Sequence, residues 1–346
     1  MNRRLVSLIF TWSSVVSVGD TTAATLQDFL TKHGYTAIPL QSPVVKPDVP
    51  TQLGEANHLF ANGKVNGRTL VVMIDTGATV LSIDTTAAEG MKQVQKLPET
   101  VEGAFGALKT PGAAVSIGKI EFGPVTYEAE PAALVNLRGK KATYVDRLVP
   151  RSGHVLECDL IVGWEFLSRH DAIIDYQGPT LFLRESEPSA DFGNTLGRSL
   201  LAGGFVLVPL TSRNSQIEVP AIINGHPALL LLDTGAVVTV LDKNQTRALE
   251  AGVREKVMEL VDVGGKHRDL DFTKVQSLRI SDFTLENTIV GVTDLQPTNE
   301  SRARSDMPAI QGVLGPEILS RGHAIIDCAN LRLYLYSPNR EPVKKQ

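Results

Sequence analysis

The chain repeats itself, and the repeat limits the fold more than any other feature. Val65-Asn66-Gly67-Arg68-Thr69-Leu70-Val71-Val72-Met73-Ile74-Asp75-Thr76-Gly77-Ala78 has a counterpart in Ile223-Asn224-Gly225-His226-Pro227-Ala228-Leu229-Leu230-Leu231-Leu232-Asp233-Thr234-Gly235-Ala236. Asn66 aligns with Asn224 and Asp75 with Asp233, a constant offset of 158 residues. A second pair closes each half. Gly163-Trp164-Glu165-Phe166-Leu167-Ser168-Arg169 runs into Ala172-Ile173-Ile174-Asp175, and Gly315-Pro316-Glu317-Ile318-Leu319-Ser320-Arg321 runs into Ala324-Ile325-Ile326-Asp327, at an offset of 152 (163 to 315). A weaker third pair sets Ile38-Pro39-Leu40 against Val208-Pro209-Leu210. Self-similarity on this scale makes each half one copy of a single folding unit. A length of 346 residues agrees, at ~150 residues per domain.

The local pattern is strand-rich. Asn66-Gly67 and Asn224-Gly225 are hairpin turn signals, since both residues tolerate positive φ. Each precedes a continuous apolar run, as in a strand buried on both faces. Further strands are expected at 113–117, 125–130, 205–210, 274–280 and 288–292. Short helices are expected at 165–169 and 317–321, with another at 26–33 ahead of the first lobe. Arg184 to Gly204 reads as a linker, with Glu185, Glu187, Pro188, Ser189, Asp191 and four glycines. Polar loops are expected at 138–153 and 296–308. The organisation that follows is a signal segment over 1–24, a helix/strand segment over 25–54, a first lobe over 55–184, a linker over 185–204, a second lobe over 205–337 and a tail over 338–346. Short strands bounded by Gly and Asp point to an all-β chain of two small barrels or sandwiches.

Composition removes several function classes. Lys+Arg (34) nearly balance Asp+Glu (38), so no basic footprint for nucleic acid exists. Aromatic residues at 5% leave little for stacking on single strands. The seven histidines show no metal-protease spacing such as His-Glu-x-x-His. Two cysteines, Cys158 and Cys328, exclude a disulfide-dense scaffold and a Cys-rich zinc site but leave one bridge open. Asn2, Arg3 and Arg4, then the apolar stretch Leu5 to Val18, then Thr21-Thr22-Ala23-Ala24 follow the layout of a secretory signal. That stretch falls short of the ~20 residues of a membrane span. A secreted or periplasmic protein with no membrane span in its mature form is the expectation.

In both halves an apolar strand ends at Asp-Thr-Gly. A carboxylate there is desolvated, which disfavours its charged form, and an isolated buried charge is costly. The repeat supplies the partner: a pseudo-twofold pairing of the halves brings Asp75 and Asp233 together. Two touching carboxyls share a proton and titrate as a pair. One member then takes a proton from water while the other donates to a carbonyl oxygen. The Gly after Thr allows a tight turn and close backbone approach. Thr76 and Thr234 are placed to cross-bond between the lobes.

On these residues both halves resemble the retropepsin-like aspartic protease domain. The shared signature is the apolar strand, Asp-Thr-Gly-Ala, and later two apolar residues plus Gly, here Ile161-Val162-Gly163 and Val313-Leu314-Gly315. Ala78 and Ala236 favour the retroviral and bacterial type over the pepsin type. The resemblance covers roughly 35–183 and 205–336. It implies two tandem β-barrel lobes, each with one short helix, related by a pseudo-twofold axis, with one active site between them. It further implies an aspartic endopeptidase with Asp75 and Asp233 as catalytic residues, supported by Thr76, Gly77, Thr234 and Gly235. No cofactor or metal is implied, and the substrate is an extended peptide or protein strand bound by a monomer with both lobes in cis. Viral members commonly brace the dimer with an Asp after the Ala and an Arg after the second Gly. Those places hold Thr79 and Val237, and Trp164 and Pro316. Flap and cleft contacts are expected from Ala78, Ala236, Gly103, Phe105, Gly106, Gly264 and Gly265. A non-catalytic peptide-binding protein on the same duplicated fold is the alternative. Asp84, Asp242, Asp175 and Asp327 read as turn residues at strand ends, and Arg169 and Arg321 as helix-end caps or surface pairs.

Overall fold

A computed structural model describes residues 19–41, 58–96, 100–103, 106–109, 113–137, 158–186, 191–261 and 267–337. Of the expectations above, the apolar stretch Leu5 to Val18, the loop at 138–153, the flap residues Phe105, Gly264 and Gly265, and the tail at 338–346 lie outside the described residues.

Each repeat closes into a barrel with the same strand order. In the first lobe Leu59–Val65, Arg68–Ile74, Leu160–Val162, Ser82–Asp84, Val125–Val135 and Ala113–Phe122 follow one another, and the last returns to the first through Val65↔Ile120. In the second, Gln216–Ile223, His226–Leu232, Gly312–Leu314, Val240–Asp242, Phe283–Thr293 and His267–Ile280 do the same, closed through Ile223↔Leu278. Closure leaves no open edge in the ring. The two Asn-Gly turns have positive φ at both residues, 50° and 82° in the first lobe, 50° and 86° in the second. That is the turn whose twist suits a two-residue hairpin. Both fix the same register, Phe60↔Met73 in one lobe and Glu218↔Leu231 in the other.

A third sheet joins the lobes. Its order is Thr36–Pro39, Thr180–Leu183, Ile173–Asp175, Ile325–Asp327, Arg332–Tyr336, Phe205–Pro209. At its centre the two Ala-Ile-Ile-Asp repeats pair antiparallel with each other: Ile173↔Asp327, Ile174↔Ile326, Asp175↔Ile325. The pseudo-twofold axis therefore passes between Ile174 and Ile326. The third sequence pair occupies the two outer strands, where Ile38 faces Leu181 and Val208 faces Leu333.

Two sequence expectations are corrected here. The stretch read as a linker folds as the helix Phe192–Ala202, which buries Phe192, Leu196 and Leu200. It is the counterpart of the first helix, Gly19–Lys32, which buries Leu26 and Leu30. Both pack on the interlobe sheet against Ile173, Phe182, Ile325 and Tyr334. The glycines that suggested a linker serve close approach instead: a Cβ on Gly193 would strike the Asn330 side chain, and one on Gly197 the Tyr334 hydroxyl. The stretch read as a polar loop at 296–308 contains the helix Gln296–Arg304. The short helices after the second motif are Trp164–Arg169 and Pro316–Arg321. Among the described residues no helix is long and apolar enough to cross a membrane.

Candidate active site

Both Asp-Thr-Gly loops leave the barrel at the same point. The Asp75 N–H donates to Val162 O (3.0 Å) and the Asp233 N–H to Leu314 O (3.1 Å). The second motif thus holds the first from behind in each lobe. Glycine is required there: a Cβ on Gly163 would strike the Ala78 and Val80 carbonyls, and one on Gly315 the backbone of Val238 and Thr239.

The loops meet across the pseudo-twofold axis. The Thr76 N–H donates to Thr234 Oγ1 and the Thr234 N–H to Thr76 Oγ1, both at 3.0 Å. Each hydroxyl passes its own proton on, Thr76 to Leu232 O (3.2 Å) and Thr234 to Ile74 O (2.8 Å). Both threonines are buried, so all four bonds form away from water, where an unmade bond costs most.

This crossing places the two carboxyls in hydrogen-bond contact. Gly77 and Gly235 permit it, because a Cβ on Gly77 would fall inside the Asp233 carboxyl and one on Gly235 inside that of Asp75. Asp75 Oδ1 accepts the Gly77 N–H (2.8 Å) and the Ala78 N–H (3.2 Å), and Asp233 Oδ1 accepts the Gly235 N–H (2.8 Å). Asp233 is buried at 4% exposure while Asp75 is half-buried. Burial pushes both carboxyls above the usual range, and the charge of Asp75 pushes Asp233 further up. The pair holds a proton to higher pH than an exposed carboxylate does.

Gly103 and Gly106 face each other at the end of the hairpin Thr100–Gly103/Gly106–Lys109. That hairpin crosses to the other lobe, where Gly106–Lys109 lies beside the helix Gln296–Arg304. In the second lobe Gly252–Val261 and His267–Ile280 pair as far as Val261↔His267. Ala78 and Ala236 follow the loops, and Ala78 O accepts the Trp164 N–H at 2.8 Å.

The turn aspartates are structural. Asp84 accepts the Thr86 and Leu137 N–H groups, Asp242 those of Asn244 and Leu295, Asp175 that of Gln177, and Asp327 that of Asn330. Arg169 pairs with Glu130 at 2.8 Å. Cys158 and Cys328 are free and buried. Burial pushes the Cys158 thiol up to about 12, which removes it from nucleophilic chemistry. Among the described residues no cluster of three or more His, Cys, Asp or Glu is placed to hold a metal ion.

One residue beside the site escaped the sequence reading. His58, 7% exposed, reaches from the first lobe to the second Asp-Thr-Gly loop, with Nε2 at 2.9 Å from Gly235 O. Burial lowers its pKa, so it stays neutral and donates. The signal was available, because the repeat offset aligns His58 with Gln216 (58 to 216). A titratable residue opposite an amide at matched places beside the motif marks a local break in symmetry.

The aspartyl protease family model matches residues 61–166 and 219–318. No curated protein matches the chain. Similar solved structures include an aspartic proteinase from Irpex lacteus (14% identity, 88% of this chain and 98% of that chain, TM-score 0.46). Basic 7S globulin from soybean is another (12%, 88% and 94%, 0.43). A third is a retropepsin-like aspartic protease from Rickettsia conorii (17%, 38% and 91%, 0.28). With both repeats matched over more than half its length, the chain belongs to the aspartyl protease family.

Proposed function

We propose that the protein is an aspartic endopeptidase that hydrolyses a peptide bond in the interlobe cleft, with Asp75 and Asp233 as its catalytic residues. The observation that carries this reading is the contact of two carboxyls held by crossed threonines. Asp75 is the more exposed member, and its charge pushes the Asp233 carboxyl further up, so Asp75 is the ionised base. Asp233 carries the shared proton. Asp75 takes a proton from water as the water oxygen attacks the carbonyl carbon, and Asp233 gives its proton to the carbonyl oxygen. In the collapse, Asp75 returns a proton to the amide nitrogen and Asp233 recovers one from a hydroxyl of the gem-diol as the C–N bond breaks. The paired hairpins suit a substrate bound as an extended strand. The protein acts as a single chain, with both lobes in cis.

The test is digestion of a peptide library over an acid-to-neutral pH series. Asp75→Asn and Asp233→Asn should each abolish cleavage, and retained cleavage by either removes the shared-dyad reading. Tight binding of peptides without turnover by the unaltered protein would favour the non-catalytic alternative. The basic, apolar and small-residue order of residues 2–24 supports export to a secreted or periplasmic location. Sequencing the N-terminus of the mature protein checks it, with a start at or just after Ala24 expected.

A further inference from the structure

The backbone beneath the two catalytic loops is symmetric, but its chemistry is not. In each half the residue after Ala-Ile-Ile-Asp docks on the opposite lobe. The Tyr176 N–H donates to Ala324 O (2.8 Å), and the Cys328 N–H donates to Ala172 O (3.1 Å). Ala324 and Ala172 in turn close the short helices, through Leu319 O and Leu167 O, both at 2.9 Å. Tyr176 therefore sits against the helix Pro316–Arg321, and the small Cys328 takes the same place against Trp164–Arg169.

The glutamates of those helices differ in the same sense. Glu165 is exposed and accepts a hydrogen bond from Ser215 Oγ at 3.0 Å. Glu317, its repeat counterpart, is turned inward at 5% exposure. Its Oε1 accepts the Thr239 N–H at 2.8 Å, and Thr239 Oγ1 accepts the Gly315 N–H at 2.9 Å. Gly315 follows Leu314, whose carbonyl takes the Asp233 N–H. Glu317 thus ties the segment after Asp233 to the strand that holds Asp233. Two side-chain atoms remain without a protein partner in this region, Glu317 Oε2 and the Tyr176 hydroxyl. Tyr176 is also 5% exposed, and its hydroxyl lies within electrostatic reach of Glu317, Asp233 and Asp75. Two buried polar atoms left unpaired would each cost stability, and such groups in folded proteins are usually met by an ordered water with about three hydrogen bonds.

We propose that Tyr176 and Glu317 enclose a buried water behind the Asp233 loop, and that the pair are positioning residues for Asp233 with no equivalent behind Asp75. The kinetic consequence rests on the peptidase reading above; the hydration site does not. Burial holds the Glu317 carboxyl above its usual range, which suits a neutral group that both accepts and donates.

The experiment is a double-mutant cycle of Tyr176→Phe and Glu317→Leu on the full chain, with Glu317→Gln as the conservative variant. Thermal unfolding is read first, since it needs no turnover. Each single change should lower Tm by a few degrees, and the double should lower it by little more than the larger single, because both remove the same water. Where peptidase activity is present, Glu317→Leu should cut kcat about tenfold with KM within about twofold, and Glu317→Gln should restore most of it. Additive losses in the thermal cycle overturn the shared water. So does a rise in Tm for Tyr176→Phe, the result expected if that hydroxyl is simply unpaired. Equal kcat for Glu317→Leu and the unaltered protein overturns the positioning role while leaving the dyad reading intact.

Discussion

The two lobes solve the same packing problem with different chemistry. Under the first Asp-Thr-Gly loop lie Phe60, Met73, Val135, Leu137, Cys158 and Ile161. The matching cluster in the second lobe contains Leu231, Leu295, Ile310 and Val313 at the places of Met73, Leu137, Cys158 and Ile161. At the place of Phe60, however, stands Glu218, buried at 3% exposure. Glu218 and Gln216 both bond the guanidinium of Arg302, a fully buried residue on the helix Gln296–Arg304. Glu218 takes Arg213 as well, at 3.0 Å. One lobe fills the space with a ring and frees His58 to cross to its partner. The other fills it with an ion pair and keeps Gln216 at home. Barrel closure and strand register tolerate either filling, so the fold leaves the chemistry near the cleft free to diverge.

Replacing the buried cation should have the largest effect. Arg302→Leu leaves Glu218 buried with only a half-exposed partner, and the expected cost is about 3–5 kcal/mol by denaturant unfolding. Glu218→Phe combined with Arg302→Leu imports the first-lobe solution and should recover most of that loss. If the double variant is no better than the single, the two fillings are not interchangeable. Next come the crossed threonines, where the lobes are chemically identical. Thr76→Val and Thr234→Val should each cost about 1–3 kcal/mol and by similar amounts, since each removes one donor and one acceptor. A clear inequality would mean that one lobe carries the junction.

The dyad gives a smaller, pH-dependent difference. Its folded-state pKa is raised, so its contribution to stability is fully present below the usual carboxylate range and is lost as pH rises through the dyad's own titration. Asp233→Asn removes that loss. The variant should be more stable than the unaltered protein at pH 7 and not at pH 4, as read by thermal unfolding at both. Every tenfold displacement of the proton equilibrium on folding is worth about 1.4 kcal/mol of that difference. The same difference at both pH values would show that ionisation is not the cause. The least effect is expected of His58→Gln, which places the second-lobe residue in the first. The amide can still donate to Gly235 O, so the cost at pH 7 should stay below about 1 kcal/mol. Because the folded pKa of His58 is lowered, its contribution is full above the usual histidine range and is lost as pH falls. The glutamine variant should therefore lose less stability than the unaltered protein between pH 7 and pH 5. Equal losses over that interval would show that His58 does not titrate against the fold.

Much of this was legible in the sequence, for physical reasons. The constant offset revealed the duplication, the Asn-Gly turns fixed strand register, and a carboxyl at the end of an apolar strand demanded a partner. What stayed hidden depended on distant contacts. Gly193 and Gly197 read locally as helix breakers, and only the proximity of Asn330 and Tyr334 explains them. Gln296 to Arg304 reads as a polar loop, because the group that justifies burying Arg302 is 84 residues away in sequence. A finer comparison of the halves would have found the first helix pair: Leu26, Leu30, Gly34 and Tyr35 match Leu196, Leu200, Gly204 and Phe205 at one offset (26 to 196), and both glycines have positive φ. Tyr176 and Glu317 were visible as residues, but not as neighbours.

The seam between Ile173–Asp175 and Ile325–Asp327 is one segment binding a near copy of itself, each half ending in three strands and a covering helix. Such an edge offers the same backbone hydrogen bonds to the matching half of another molecule. The peptide that joins the halves near residue 190 keeps the correct partner at an effective concentration on the order of millimolar, so it outcompetes strangers without adding a contact. Cleaving the chain there should leave two pieces that still find each other, only more slowly and in proportion to their dilution.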